Sequence, residues 1–192
     1  MSQLAPEFAP ARNIAVFCAS ADGARPIYGE VAHELGTALA TRGIGLIYGG
    51  AKVGLMRVVA DSVLASGGYV TGVIPHVLVD LEVAHQGISQ LHVVDTMHTR
   101  KALMGEKADA FLVLPGGFGT LEEMFEVLAW QTLKLHQKPI VLLNINGFYD
   151  KLLTFLDHCV AEGMLKPKSR KILLVADTVE DALTQLSANL TA

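Results

Sequence analysis

Short apolar runs alternate along this chain with longer segments in which apolar residues recur every three or four positions. Residues 13–18 form the first run, and residues 26–42 form the first periodic segment. One face of that segment carries Ile27, Val31, Leu35 and Leu39. Four-residue spacing predicts a helix, and a short apolar run bounded by turn residues predicts a buried strand. The alternation is typical of a parallel sheet covered by helices on both faces.

The same pattern extends to the end of the chain and defines the predicted domain. Strands are predicted over residues 13–18, 45–48, 69–74, 90–94, 110–114, 140–143 and 172–175. Helices are predicted over residues 26–42, 54–65, 96–107, 121–128, 149–161 and from Val179 onward. The polar connection 163–170 is too short to separate domains. We therefore expect one doubly wound, Rossmann-like α/β domain with three layers over residues 12–192, preceded by a loose tail over residues 1–11.

Composition narrows the class of protein. Hydrophobic residues make up 51% of the 192 positions, which is high for a soluble monomer and favours an apolar subunit interface. The net charge of −4 without a basic block argues against a nucleic-acid partner. The apolar runs are too short to span a membrane, and the first residues do not form a signal peptide. Cys18 and Cys159 form no CxxC pair, so we expect a reduced, cytoplasmic protein.

The most informative segment is the glycine turn at residues 115–123, with the sequence PGGFGTLEE. It follows the predicted strand 110–114 and precedes a predicted helix. Backbone N–H groups of such a turn approach a phosphate, and the helix dipole favours the anion. Glu123 lies one turn inside that helix, where a carboxylate would repel a phosphate ligand unless it takes part in chemistry. The segment therefore predicts a nucleotide or sugar-phosphate site with a reaction attached.

Two other turns lack the sequence of a standard nucleotide site. Residues 18–23 are not G-x-G-x-x-G and no acidic residue ends the second strand, so a dinucleotide cofactor is not expected. Ser20 in this turn either donates a hydroxyl to a ligand or is a simple turn residue. Residues 49–54 lack the closing Lys-Ser/Thr of a P-loop, so their glycines are interpreted as allowing close approach of backbone or ligand.

Charged residues near these turns have two interpretations. Arg100 and Lys101 lie near the predicted ligand edge, where a guanidinium suits phosphate or carboxylate, or else they are an exposed basic pair. Glu122 and Glu123 point about 100° apart on a helix, so at most one faces a ligand, and Glu126 could share that face. The alternative is that all three are surface acids favoured near a helix N-terminus. The seven histidines show no ligand spacing, so no metal site is expected.

At these residues the chain resembles the LOG ("lonely guy") family of phosphoribohydrolases, whose members are often misnamed lysine decarboxylases. The family signature P-G-G-x-G-T-x-x-E matches residues 115–123, and its Met-x-x-Arg-Lys matches Met97, Arg100 and Lys101. The resemblance runs from Ile14 to Val175. It includes residues 48–50, 54–56, 72–75, 143–144 and 147–150.

The resemblance implies hydrolysis of a purine nucleoside 5′-monophosphate, a cytokinin riboside monophosphate or AMP, to free base and ribose 5-phosphate. It implies a homodimer or larger, without metal or other cofactor. Arg100 and Glu123 would be the catalytic pair. Together with Ser20, the residues expected to bind substrate are Glu82, Arg100, Lys101, Gly116, Gly117, Phe118, Gly119, Thr120, Leu121, Glu122 and Glu123.

Five positions depart from the family pattern. The family's Gly-Ser-Ser is replaced at residues 19–21 by Ala-Ser-Ala, and Ala51, Arg57 and Ala129 stand where it has glycine, glycine and threonine. They bear on base and N6-substituent preference more than on the reaction. A non-catalytic carrier of a phosphorylated cofactor, such as molybdenum cofactor, is the alternative function, and lysine decarboxylase is a third. Glu123 with Arg100 favours the hydrolase, and Lys101 lacks a pyridoxal-phosphate context.

Overall fold

A single parallel sheet forms the centre of the computed structural model, which describes residues 12–79 and 83–190. Its strands are β1 (Arg12–Phe17), β2 (Ile44–Tyr48), β3 (Val70–Pro75), β4 (Gln90–Val94), β5 (Ala110–Val113), β6 (Ile140–Leu143) and β7 (Leu173–Ala176). They lie in the order β4-β3-β2-β1-β5-β6-β7, and each neighbouring pair is parallel. The predicted α/β fold with a parallel sheet is confirmed. The predicted tail over residues 1–11 lies outside the described residues.

Helices follow most strands and form the two outer layers. They are α1 (Pro26–Thr41), α2 (Gly54–Ala65), α3 (His76–Val79), α4 (Met97–Lys107), α5 (Phe118–Thr132), α6 (Asp150–Ala161), α7 (Pro167–Arg170) and α8 (Val179–Asn189). The periodic pattern did not predict α3 or α7, because a helix of four residues is too short to show a repeat. The connection 163–170 therefore contains a helical turn.

The core lies on both faces of the sheet, as a doubly wound fold requires. One cluster packs α1, α2 and α8 against it, and the other packs α4, α5 and α6. All four residues of β5 are buried, as are Val31, Leu35 and Leu39 of α1, while Ile27 is partly buried. A strand buried on both faces needs a continuous apolar run, which explains why the runs predicted the sheet correctly.

Helix α5 departs from its predicted face. Met124 is fully buried as expected, but Phe125 is 39% exposed, and the buried face instead includes Thr120 and Glu123. The N-terminal part of α5 lies at the carboxyl edge of the sheet, and its inward face there is polar. This exception to the apolar pattern marks the position of the candidate site.

The strand order changes direction between β1 and β5, and this switch point positions the site. Successive strands run outward from β1 to β4, and the chain then returns to place β5 on the other side of β1. The loops after β1 and β5 therefore separate over this boundary, where open α/β sheets bind ligands. One backbone hydrogen bond still joins the two loops, from Ala19 N to Pro115 O at 3.2 Å.

Candidate active site

The glycine turn leads directly into the N-terminus of α5. Gly117 is the N-cap residue, and no side chain caps this helix. The first N–H groups of an α-helix have no intrahelical partner, so the amides of this first turn can bind a ligand. Gly117, Phe118 and Gly119 are exposed, and the Phe118 side chain is 95% exposed. We call this turn, residues 115–120, the cradle, because the dipole of α5 makes it suited to an anion.

The space around Gly116 differs from the space around Gly119. A Cβ at Gly116 would collide with the side chain of Thr120, which is 3% exposed and folds back over the turn. At Gly119 a Cβ would meet nothing within 4 Å. The packing of the protein therefore requires glycine at position 116, whereas position 119 borders open space that a ligand can enter.

Arg100 and Glu123 form a buried ion pair beside this cradle. Arg100 Nη1 donates to Glu123 Oε1 at 2.9 Å, and the two side chains are only 9% and 10% exposed. Arg100 Nε also donates to the carbonyl of Val73 at the end of β3, at 3.1 Å. A Cβ at Gly49 would collide with the Arg100 guanidinium, so this glycine makes room for the arginine. The interpretation of Glu123 as a surface acid is wrong.

The electrostatics of the pair reflect its burial. Burial raises the pKa of Glu123 above its ordinary value, and the positive charge of Arg100 opposes that rise. Glu122 raises the Glu123 pKa further, while Lys101 lowers it. Burial also raises the pKa of the nearby Cys18 thiol, which therefore stays neutral. A carboxylate held in this setting is a strong general base or charge stabiliser at neutral pH.

A second set of charges joins the same two helices. Lys101 Nζ forms ion pairs with Glu122 Oε1 and, at 3.0 Å, with Glu126 Oε1. The Lys101 side chain is 9% exposed, and burial alone would lower its pKa, but the hydrogen bonds that it donates to Glu122 and Glu126 raise it. Arg100 and Lys101 are consecutive on α4, and Glu122 and Glu123 are consecutive on α5. The Lys101 pairs therefore fix the relative position of the helices that bear Arg100 and Glu123.

These charges predict a pH dependence of activity. We expect Glu123 to act in its ionised form, so kcat/KM should fall as pH drops through its raised pKa, above the 4.5 of an ordinary glutamate. Glu122→Gln removes a negative neighbour, so the acidic limb should move to lower pH. Lys101→Met removes a positive neighbour, so the limb should move to higher pH. A pH profile of kcat/KM for each variant measures both shifts, and shifts of the opposite sign would contradict this placement of Glu123.

A cavity of about 390 Å³ opens beside the cradle, at the switch point of the sheet. It lies between the loops after β1 and β5 and is lined by Ala19, Tyr28, Leu55, Pro115, Gly117 and Phe148. Its walls are mostly apolar, with the glycine turn along one side. A ligand anchored by an anionic group on the cradle has room for an apolar or aromatic part here.

The structure brings most of the predicted site residues together. Arg100, Lys101, Glu122 and Glu123 are joined by ion pairs, and residues 116–120 form the turn and first residues of the helix that carries both acids. Leu121 is half-buried on α5. Ser20 is exposed in the loop after β1, and no contact between it and the Arg100–Glu123 pair is seen in the described residues. Glu82 lies outside the described residues.

Two residues that contact the site were not identified from the sequence. Val73 offers a backbone carbonyl to Arg100, and any residue type has a carbonyl, so the sequence carries no signal for it. Tyr149 belongs to a segment that carried the resemblance, but no role was predicted for it. Its phenol lies under the cradle, with Oη donating to the carbonyl of Leu114 at 2.8 Å.

Residues 12–79 and 83–190 contain no group of three or more His, Cys, Asp or Glu side chains that could hold a metal ion. No helix in the same ranges is both long and apolar enough to cross a membrane.

Comparisons of the sequence with known proteins agree on one family, and a solved structure shares the fold. Residues 56–186 match the family model described as "Possible lysine decarboxylase". The cytokinin riboside 5′-monophosphate phosphoribohydrolase of Rhodococcoides fascians is 47% identical over 176 residues, covering 91% of this chain and 89% of the relative. The Arabidopsis thaliana enzyme of that name is 46% identical over 175 residues, covering 91% and 81%. The molybdenum cofactor binding protein of Rippkaea orientalis has a similar structure, with a TM-score of 0.71 at 22% identity, covering 94% and 98% of the chains.

Proposed function

The chain belongs to the LOG family of phosphoribohydrolases, and we propose that it hydrolyses purine nucleoside 5′-monophosphates to free base and ribose 5-phosphate. The buried Arg100–Glu123 pair beside an uncapped helix N-terminus is the observation that carries this proposal. A phosphate site alone needs no carboxylate, whereas cleavage of a glycosidic bond does. Cytokinin riboside monophosphates and AMP are the candidate substrates.

The chemistry assigned to Glu123 follows from the charge that the reaction creates. Breaking an N-glycosidic bond builds positive charge on the ribose, as in glycoside hydrolysis. Arg100 holds Oε1 of Glu123, so the other carboxylate oxygen can face the sugar. From there it stabilises the oxocarbenium-like transition state and orients the attacking water. The Arg100 guanidinium donates to the carbonyl of Val73 and to the carboxylate of Glu123, and it thereby fixes the position of that carboxylate.

The cradle supplies the binding energy that positions the sugar. The 5′-phosphate would bind the amides of residues 116–120, at the positive end of α5. Interactions with this remote group hold the ribose in a reactive geometry against Glu123. Lys101, Ser20, Leu121 and Glu122 are proposed as further substrate contacts, and the same role for Glu82 rests on the family resemblance. No metal or other cofactor is required in this scheme.

Two other functions fit the residues less well. A carrier of a phosphorylated cofactor shares this fold, but likeness at 22% identity supports the fold alone, and a carrier has no need of Glu123. A lysine decarboxylase would need a lysine that forms an imine with pyridoxal phosphate. The buried Lys101 is held protonated by Glu122 and Glu126, which raise its pKa and make it a poor nucleophile.

Incubation with AMP and with isopentenyl-AMP, followed by measurement of free base and ribose 5-phosphate, tests the proposed reaction directly. We expect equal amounts of both products, and the same rate in EDTA. Bound nucleotide without products would favour the carrier. Loss of activity in EDTA that a divalent ion restores would contradict the metal-free scheme.

We also propose that the protein is a homodimer or larger. Exposed apolar side chains follow the outer side of α5 and the turn after it: Phe118, Phe125, Leu133 and Leu135. A groove of about 200 Å³ between α5, α6 and α7 continues this surface and includes Phe125, Leu128 and Leu165. Apolar patches on soluble proteins are typical of subunit interfaces.

Light scattering at micromolar concentration should give at least twice the mass of one chain. Phe125→Glu places a charge in the proposed interface and should shift the protein towards a monomer. Phe155→Glu on α6, also at an exposed phenylalanine, is the matched control and should leave the mass unchanged. A monomeric wild type would contradict the proposal, and dissociation by Phe155→Glu alone would move the interface to α6.

We propose a cytoplasmic location because both cysteines are free thiols. Cys18 is buried, Cys159 is half-buried, and both are free thiols. Free thiols persist in reducing compartments.

A further inference from the structure

The Tyr149 ring lies in the apolar cluster that packs α4, α5 and α6 against the sheet, and its phenol reaches the backbone just before the cradle. The residue directly precedes α6, and its side chain is 3% exposed. Its phenol Oη donates to the carbonyl of Leu114 at 2.8 Å. Leu114 is the residue that joins β5 to the glycine turn, so this hydrogen bond anchors the start of the cradle.

The phenol is suited to act as a donor at this position. Burial raises the pKa of Tyr149 well above its ordinary value, while the neighbouring backbone of Gly116 opposes the rise. The phenol is therefore protonated at any physiological pH. It donates to the carbonyl of Leu114, the residue directly before Pro115.

The segment before α6 holds Tyr149 in place by its own hydrogen bonds. Asn144 Oδ1 accepts from Tyr149 N at 2.7 Å, and Asn144 Nδ2 donates to Asp150 Oδ1 at 2.8 Å. Gly147 has a φ of +67°, and a Cβ there would collide with the Asp150 carboxylate. These contacts form one local structure from Asn144, Gly147, Tyr149 and Asp150. The Tyr149 side chain links this structure to the start of the cradle.

We propose that Tyr149 is a positioning residue for the phosphate, because its hydrogen bond fixes the backbone of Leu114, from which the glycine turn begins, so that the cradle amides converge on one anion. The inference rests on the proposed function for the identity of that anion, the 5′-phosphate of the substrate. Tyr149 acts through the backbone and does not contact the substrate. Its loss should weaken interactions with the phosphate while leaving those with the base and ribose intact.

The test is the binding of AMP and of adenosine by calorimetry, in a Glu123→Gln background where turnover is suppressed. Tyr149→Phe removes only the phenol oxygen, and we expect AMP affinity to fall by about tenfold or more while adenosine affinity stays the same. Tyr48→Phe is the matched control. Tyr48 is also a fully buried tyrosine, but its Oη has no hydrogen-bond partner in the described residues, so AMP affinity should not change.

Amide hydrogen exchange of residues 116–120 provides a second measurement. It should speed up in Tyr149→Phe and not in Tyr48→Phe, because only the first loses the hydrogen bond to Leu114, just before the cradle. Unchanged AMP affinity in Tyr149→Phe, or equal loss for AMP and adenosine, would overturn the inference. Tyr149→Phe could lose AMP affinity while the wild-type protein releases no free base from AMP. That pair of results would support Tyr149 as an anchor of the cradle and reject the proposed hydrolase activity.

Discussion

Glu123→Gln should lower kcat for AMP by a factor of about 100 or more, the range expected when a charged catalytic group is lost. Glutamine has nearly the same shape and can still accept the hydrogen bond from Arg100 Nη1. It lacks the negative charge that stabilises the developing positive charge on the ribose. The affinity for AMP should change much less than kcat, because the phosphate provides most of the binding. Steady-state kinetics with release of free base measure both quantities.

Glu122→Gln is the matched control, since it makes the same chemical change one residue away on the same helix. The Glu122 side chain is 54% exposed and pairs with Lys101, which keeps its second partner Glu126. We therefore expect a small loss of kcat. Thermal unfolding of both variants shows whether either has lost stability. Equal losses of kcat in two folded variants would mean that the catalytic carboxylate has been assigned to the wrong residue.

Removal of the substrate phosphate should have an effect of similar size. Adenosine should be a very poor substrate compared with AMP, with kcat lowered as well as affinity, because the remote phosphate positions the reacting bond. Gly119→Val should lower kcat/KM for AMP strongly by blocking the cradle. Any slow hydrolysis of adenosine should remain nearly unchanged. Comparison of kcat/KM for both substrates in both proteins gives the result.

The structure offers a control for this substitution. A Cβ at Gly119 meets nothing within 4 Å, so valine should not disturb the fold. Gly29, in the first turn of α1, also has nothing within 4 Å of a Cβ. Gly29→Val therefore measures how much stability a β-branched residue removes at a helix N-terminus away from the cradle. If adenosine is cleaved as well as AMP, the turn is not a phosphate site and the protein is a plain nucleosidase.

Local patterns were sufficient for the fold. A strand buried on both faces must be a continuous apolar run, and a helix on a sheet must repeat its apolar face. Residues 110–114 and the spacing of Val31, Leu35 and Leu39 predicted their elements for these reasons. The same rules did not predict α3 and α7, because these helices are too short to show a repeat. They also placed Phe125 on the buried face of α5, which is wrong because α5 turns a polar face inward at the site.

The candidate site was predictable in part. The order strand, glycine turn, helix placed the cradle at the N-terminus of α5, since this chemistry is local in sequence. The choice between Glu122 and Glu123 was not local. Helix geometry requires the two to point apart, and only the position of α4 decides which of them meets Arg100. The family resemblance selected Glu123, and its burial is consistent with that choice.

The sequence by itself therefore determined the α/β fold, the cradle and the family, because short-range periodicity, turn chemistry and signature spacing are written along the chain. Only the tertiary structure decided how distant residues meet. It set the guanidinium of Arg100 against Gly49 and Val73, separated by 51 and 27 positions, and placed the phenol of Tyr149 under Leu114, 35 positions away. Such contacts depend on strand order and on helix packing across the sheet, and no local pattern in the sequence specifies either.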